Sequence, residues 1–268
     1  MSYFVYNASG CLCTTKKELD DLNNSNSSAI LTKSCTLNSR LGNSHPKYWD
    51  NGIISANCNG LENLGYEFYI NYAVTTDLKK PFILSVAGLS FDENKIILEK
   101  ASLCPNISSI ELNLSCPNLD GVPLSYKLDE YNNYLNKLCW NDKPLGLKLP
   151  IYNTKYDIEK VSHIIVKHNI NYITCSNSLV NGLVFGKDNK PVLSRYIGGI
   201  GGGDTMKAIV LGQIYQFRQY ISDIEIIMCG GIRTPRDVKD GLLAGANKFQ
   251  IGTNLLLNGT NIFDNFIL

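Results

Sequence analysis

No stretch of this chain approaches roughly 18 consecutive apolar residues, so no membrane-crossing helix is expected. Charge is sparse and balanced. Charged residues are 18% of the chain, 25 basic residues face 24 acidic ones, and like charges do not cluster. A nucleic-acid binder that coats phosphates is excluded on that ground. The only histidines are His45, His163 and His168. The last two fall on different sides of a helix, so no metal site is expected. Residues 1–10 lack a basic start and a long apolar run, which argues against a secretory signal. The cysteines number nine, an odd count, and none forms a Cys-x-x-Cys pair. A disulfide scaffold is therefore disfavoured, and a cytoplasmic location is the natural expectation.

What is present is a core-forming chain. Its 268 residues are 44% hydrophobic, enough for one large barrel or two small domains. Short β-prone runs occur at 29–33, 52–55, 82–86, 109–113, 145–149, 172–175, 225–228 and 248–251. Helical patterns occupy 61–78, 93–103, 128–138, 156–167 and 205–220 between them. Thr15-Lys-Lys-Glu18 reads as a capping box, and Thr234-Pro235-Arg-Asp237 as a second helix start. Eight strands alternating with helices predict a single (β/α)8 TIM barrel over residues 1–268, an α/β fold. The rival is a doubly wound open sheet. Its dinucleotide-binding form needs an early Gly-x-Gly-x-x-Gly, which is absent near the N-terminus. The one long connection, 180–203, is glycine-rich at its end.

In such a barrel, chemistry collects at the C-terminal ends of the strands. Those ends carry Lys33-Ser34, Asn57, Asn113 to Cys116, Lys148, Asn177-Ser178, Cys229-Gly230-Gly231 and Gly252-Thr253. Polar loop starts account for single positions, but not for two lysines beside apolar runs. Gly230-Gly231 and Gly252-Thr253 follow the last two strands, the usual phosphate cradle of this fold, with the helix from Thr234 expected to add its positive end. A lone cysteine is most often a small buried hydrophobe. Cys116 instead sits at a strand end among hydrogen-bonding side chains, where a thiolate can act as base or nucleophile.

The ordered set resembles the dihydroorotate dehydrogenase family, and specifically its soluble, fumarate-using class 1A. The matching segments include Asn7-Ala-Ser-Gly10, Thr32-Lys-Ser34, Asn57-x-x-Gly-Leu61 and Glu111-Leu-Asn-Leu-Ser-Cys-Pro-Asn118. Gly146-x-Lys148-x-Pro150, Asn177-Ser178, Gly198-Gly-Ile-Gly-Gly202, Gly230-Gly231 and Gln250-Ile-Gly-Thr253 complete it. The resemblance implies FMN at the strand ends and oxidation of (S)-dihydroorotate to orotate in pyrimidine synthesis. Cys116 matches the family's general base, which takes the proton from ring carbon 5 while hydride leaves carbon 6 for the flavin. Lys33, Asn57, Cys58, Asn59, Gly60, Leu61, Asn113, Asn118, Asn177 and Ser178 match substrate positions. Ala8, Ser9, Lys33, Ser34, Asn113, Lys148, Ser176, Gly202, Gly230, Gly231, Gly252 and Thr253 match FMN contacts. Fumarate as oxidant, giving succinate, and a homodimer are implied as well. No nucleic-acid or membrane partner is expected.

Relative to the family pattern, the leading strand before Asn7 and the final helix are expected to be short. Polar Asn59 stands where relatives usually carry a hydrophobic residue. Two other readings compete: a catalytically degenerate barrel that binds FMN or a pyrimidine, and a phosphate-binding isomerase or aldolase using Lys148 as a Schiff base. The second explains the glycines but not the asparagines.

Overall fold

A computed structural model describes residues 3–116, 121–138, 140 and 143–267. The chain opens with β1 (Val5–Asn7), α1 (Lys16–Asn24) and β2 (Ile30–Leu31), then a short pair, β3 (Tyr48–Asp50) and β4 (Ser55–Asn57). Regular alternation follows: α2 (Tyr66–Thr75), β5 (Phe82–Val86), α3 (Phe91–Ser102), β6 (Ile107–Leu112), α4 (Leu128–Lys137), β7 (Leu145–Leu149), α5 (Lys155–Lys167) and β8 (Tyr172–Cys175). A hairpin, β9 (Leu179–Leu183) and β10 (Ile197–Gly201), interrupts it. The chain ends with α6 (Gly203–Arg218), β11 (Glu225–Cys229), α7 (Pro235–Ala244), β12 (Lys248–Ile251), α8 (Thr253–Asn258) and a 3-10 turn at Thr260–Phe266.

Eight parallel strands run in the order β1-β12-β11-β8-β7-β6-β5-β2. The two edge strands are too short for a full ladder, and side chains close the seam between them. Asn7 donates to Leu31 O at 2.6 Å and accepts from Leu31 N at 2.9 Å, doing the work of a backbone pair. Ser28 Oγ accepts from Val5 N at 3.0 Å, while Ser28 N donates to Val5 O at 2.8 Å. The result is a nearly closed (β/α)8 barrel.

Alternation along the strands sorts the residues into two environments. Leu84, Ile110, Leu112, Leu147, Ile173, Met228 and Phe249 point outward and are buried under the helices. Each such aliphatic side chain contributes about 1.5–3 kcal/mol by leaving water. Tyr6, Leu31, Ile83, Tyr172 and Ile227 form a small separate cluster. Ser85, Glu111, Lys148, Thr174 and Gln250, at alternating positions on their strands, are all buried.

Two expectations need correcting. The segment 52–55 is not the second barrel strand. β2 pairs directly with β5, and the eighth barrel strand, beside β12, is β1, whose three residues are too short to show a pattern. Ser55–Asn57 instead pairs antiparallel with β3 and β10. The connection 180–203 is likewise not an open loop but the β9–β10 hairpin of a 4-stranded sheet, order β3-β4-β10-β9. That sheet has its own small core of Ala56, Cys58 and Leu193. It is tied to the end of the barrel by a 2.7 Å hydrogen bond between Ser55 Oγ and Thr253 Oγ1. Both expected capping features are present, at Thr15 and at Thr234.

Candidate active site

Barrel end and antiparallel sheet enclose one large cavity, about 1280 Å3 counted out to its open mouth. Ala8, Ser9, Lys33, Ser34, Asn57, Asn59, Leu61, Asn113, Cys116, Lys148, Ser176, Asn177, Ser178, Gly202, Gly230, Gly231, Gly252 and Thr253 all line it. Cys58 does not: it is buried in the core of the antiparallel sheet, its Sγ 3.8 Å from Ser194 Oγ. Gly60 is not a lining residue either. It packs on Asn43, whose Cγ would lie 2.7 Å from an added Cβ. Asn118 falls outside the described residues.

At one end the walls are amides and hydroxyls. Asn113 Nδ2 donates to Ser34 Oγ at 3.1 Å, and Asn113 Oδ1 accepts from Ser115 Oγ at 3.2 Å and Asn177 Nδ2 at 3.3 Å. Asn177 Oδ1 accepts from Ser178 N at 2.9 Å, and Asn57 Nδ2 donates to Ser178 Oγ at 3.3 Å. Ser115 itself is buried, and donates to Lys148 O at 2.7 Å, which fastens the end of β6 to β7. Cys116 follows directly and reaches the cavity.

The glycine end works through the backbone. Gly202 (φ +74°) starts α6 with no side-chain cap, so the first-turn N–H groups of a 16-residue helix are not taken by a capping side chain. Gly231 (φ +70°) lies so close to α6 that an added Cβ would sit 2.5 Å from Lys207 Cβ. A Cβ on Gly252 would meet only Ala8, at 3.7 Å. Asp237 Oδ2 already accepts from Arg233 N at 2.9 Å and Thr234 N at 2.8 Å, so the start of α7 is capped by its own carboxylate. Beside the cavity, α6 starts at Gly202 and α8 at Gly252, both without a side-chain cap.

Two ammonium groups are buried in these walls, with Lys33 6% and Lys148 4% exposed. Among the described residues neither forms a salt bridge. Lys33 Nζ donates to Gly10 O at 2.9 Å and Lys148 Nζ to Gln250 Oε1 at 2.9 Å. Burial pulls Lys33 below the usual lysine range. Burial acts the same way on Lys148, but Cys229 and Glu111 nearby outweigh it and hold Lys148 above that range. For Lys33 the cost of burying a cation is left uncompensated, and an anionic ligand would recover it.

Cys11 is a second thiol in the cavity wall. Burial pushes it up to about 11, and its Sγ donates to Ala8 O at 2.9 Å, so at neutral pH it stays a protonated thiol with no thiolate to accept a proton. Sequence reasoning passed over Tyr48, Ile53, Met206, Arg233 and Gln250 as lining residues. Arg233 directly follows the double glycine and Gln250 stands in the Gln-Ile-Gly-Thr motif, so both carried a signal. Tyr48 and Ile53 carried none, because only the antiparallel sheet brings them to the mouth.

The family model described as dihydroorotate dehydrogenase matches residues 3–267. The chain is 37% identical over 268 residues to a Streptococcus pyogenes protein named as a dihydroorotate dehydrogenase A (fumarate), covering 97% of this chain and 86% of that one. It is 36% identical to the dihydroorotate dehydrogenase (fumarate) of Lachancea kluyveri, over 96% and 85% of the two chains. In fold it is similar to ligand-free DHODH of Eimeria tenella, with a TM-score of 0.77 at 15% identity, covering 98% of this chain and 82% of that one.

Proposed function

This chain belongs to the dihydroorotate dehydrogenase family, and on that premise we propose how its cavity oxidises (S)-dihydroorotate to orotate with FMN and fumarate. The observation that carries the reading is the pair of buried lysines, each without a salt bridge among the described residues, in one cavity with an amide-lined end and a glycine-lined end.

FMN fits the donor set. The Gly202, Gly230, Gly231 and Gly252 backbone and the α6 terminus suit its phosphate, with Arg233 beside them. Ser9, Ser34, Ser176 and Asn113 offer hydrogen bonds to its ring edges. Lys148 places a fixed positive charge where negative charge develops on reduction. When bound, the flavin supplies the two-electron acceptor for the hydride of carbon 6.

The remaining residues handle the substrate. Lys33 pairs with its carboxylate. Asn57, Asn113, Asn177 and Ser178 both donate and accept, as the ureide edge of the ring requires. Cys116 takes the carbon 5 proton. Loss of that proton and of the carbon 6 hydride leaves the ring double bond of orotate. Leu61, Ile53 and Tyr48 line the same cavity. Fumarate then enters after orotate leaves, with a carboxylate on Lys33, takes up the two electrons and two protons that dihydroorotate gave up, and departs as succinate. Both half-reactions share one site, so kinetics are ping-pong, with orotate competing against fumarate. Nothing in the site favours a degenerate barrel, since Cys116, Lys33 and Lys148 share the cavity.

We further place the protein in the cytosol as a homodimer. Among the described residues no helix is long and apolar enough to cross a membrane. Leu183, Phe185, Tyr196 and Ile197 on and beside the β9–β10 hairpin are 49–64% exposed, a face suited to a second copy. Light scattering should give twice 29.8 kDa.

The deciding experiment is anaerobic. Purified protein should be yellow, bleach on adding dihydroorotate, and regain its colour on adding fumarate. Failure to bleach would overturn the assignment. Recovery with a quinone but not with fumarate would overturn the acceptor.

A further inference from the structure

Beneath the cavity lies a polar layer that the mechanism above does not use. Gln250 Oε1 accepts from Lys148 Nζ at 2.9 Å. Gln250 Nε2 donates to Glu111 Oε2 at 2.7 Å and to the Tyr6 hydroxyl at 3.1 Å. Thr174 Oγ1 donates to the same Glu111 oxygen at 2.7 Å. Chemistry fixes the amide's orientation. An ammonium only donates and a carboxylate only accepts, so a flipped amide would oppose like groups at both ends.

Glu111 is fully buried, yet its other oxygen, Oε1, has no hydrogen-bond partner among the described residues. Leaving a buried acceptor open costs about 1–3 kcal/mol, and more when it is charged. An ammonium and a carboxylate buried this near each other gain most by touching. Here an amide stands between them, and the acceptor available for a direct contact stays open.

We propose that Gln250 is a positioning residue: it holds the Lys148 ammonium at the cavity and out of an ion pair with Glu111, while Glu111 anchors the amide and tempers the positive field. The inference rests on the reading of this cavity as a flavin site. Reduction adds negative charge to the bound flavin, so its reduction equilibrium reports where the ammonium sits and how far it is neutralised.

The test is equilibrium titration of the flavin-loaded protein against redox dyes, with flavin affinity measured alongside. In Gln250→Met the ammonium falls onto Glu111 Oε1 and leaves the cavity. The equilibrium should shift towards oxidised flavin about tenfold, or about 30 mV for a two-electron couple. Glu111→Gln keeps the shape and both hydrogen bonds to Oε2 but removes the countercharge. It should shift the equilibrium the other way by a similar factor. A merely structural layer would move both variants in the same direction, or move flavin affinity alone, and either result overturns the proposal. If Glu111→Gln does not fold, a Gln250→Met potential that is unchanged or raised suffices to overturn it. Unmoved potentials in flavin-bearing variants sink this inference alone, whereas a wild-type protein that holds no flavin sinks the reading of the cavity with it.

Discussion

At the end of the cavity formed after β10, β11 and β12, the lining includes the glycine backbone of Gly202, Gly230, Gly231 and Gly252. At the end formed after β2, β4, β6 and β8 it includes the polar side chains of Lys33, Asn57, Asn113, Asn177 and Ser178. A phosphate is near-spherical and satisfied by any converging N–H groups, so glycines and a helix end serve it. A planar ureide ring must be oriented, which takes groups that both donate and accept at fixed places. The two ends should therefore fail differently.

The largest effect is expected at the glycine end. Gly231→Val adds a Cβ 2.5 Å from Lys207 Cβ on a backbone at φ +70°, which closes the cradle. Flavin affinity should fall by at least about 10²-fold, read as colourless purified protein with a retained far-UV spectrum. Full flavin occupancy would show that this end does not hold the phosphate.

Cys116→Ser strikes the chemistry at the other end. Flavin reduction by dihydroorotate should slow by at least about 10²-fold, the usual worth of a positioned base, with flavin still bound. Stopped-flow reduction at the wild-type rate would remove Cys116 from its role.

Lys33→Ala should be milder, raising KM for dihydroorotate by roughly 10- to 100-fold, the loss of one charge-assisted hydrogen bond, at unchanged flavin content. Because burial lowers the Lys33 ammonium, substrate affinity is full at neutral pH. It should weaken as pH rises, with a midpoint below that of a solvated lysine, 10.5. An affinity independent of pH across that range would show that Lys33 does not meet the carboxylate.

Asn7→Ala leaves both ends of the cavity intact and opens only the β1–β2 seam. Leu31 N loses its partner and Leu31 O keeps only the weak Cys13 thiol contact, a cost of about 1–3 kcal/mol, read as a lower denaturation midpoint with near-normal turnover. An unchanged midpoint would mean that the ladder closes the barrel without Asn7.

Much of this was legible in the chain itself. The runs 82–86, 145–149, 172–175 and 248–251 are the observed strands, because buried parallel strands read as apolar runs. Lys33, Lys148, Cys116 and the asparagines were visible because charge and amides at strand ends are conspicuous beside such runs. Val5–Asn7 was missed, since a strand of three residues whose seam depends on side chains has no period to detect. The hairpin in 180–203 was hidden by its glycines, which read as a loop although Gly198 is required where Asn57 O would lie 2.3 Å from a Cβ.

By itself, the sequence determined the βα period, the chemical inventory of the mouth and the family, because these depend on residue type and local spacing. Only the tertiary structure decided that Asn7 closes the barrel, that the uncapped starts of α6 and α8 meet at the cavity, and that Lys148 and Glu111 are bridged by Gln250. Each of these depends on which groups, distant in the chain, satisfy one another's hydrogen bonds once buried, and that accounting exists only in the folded state.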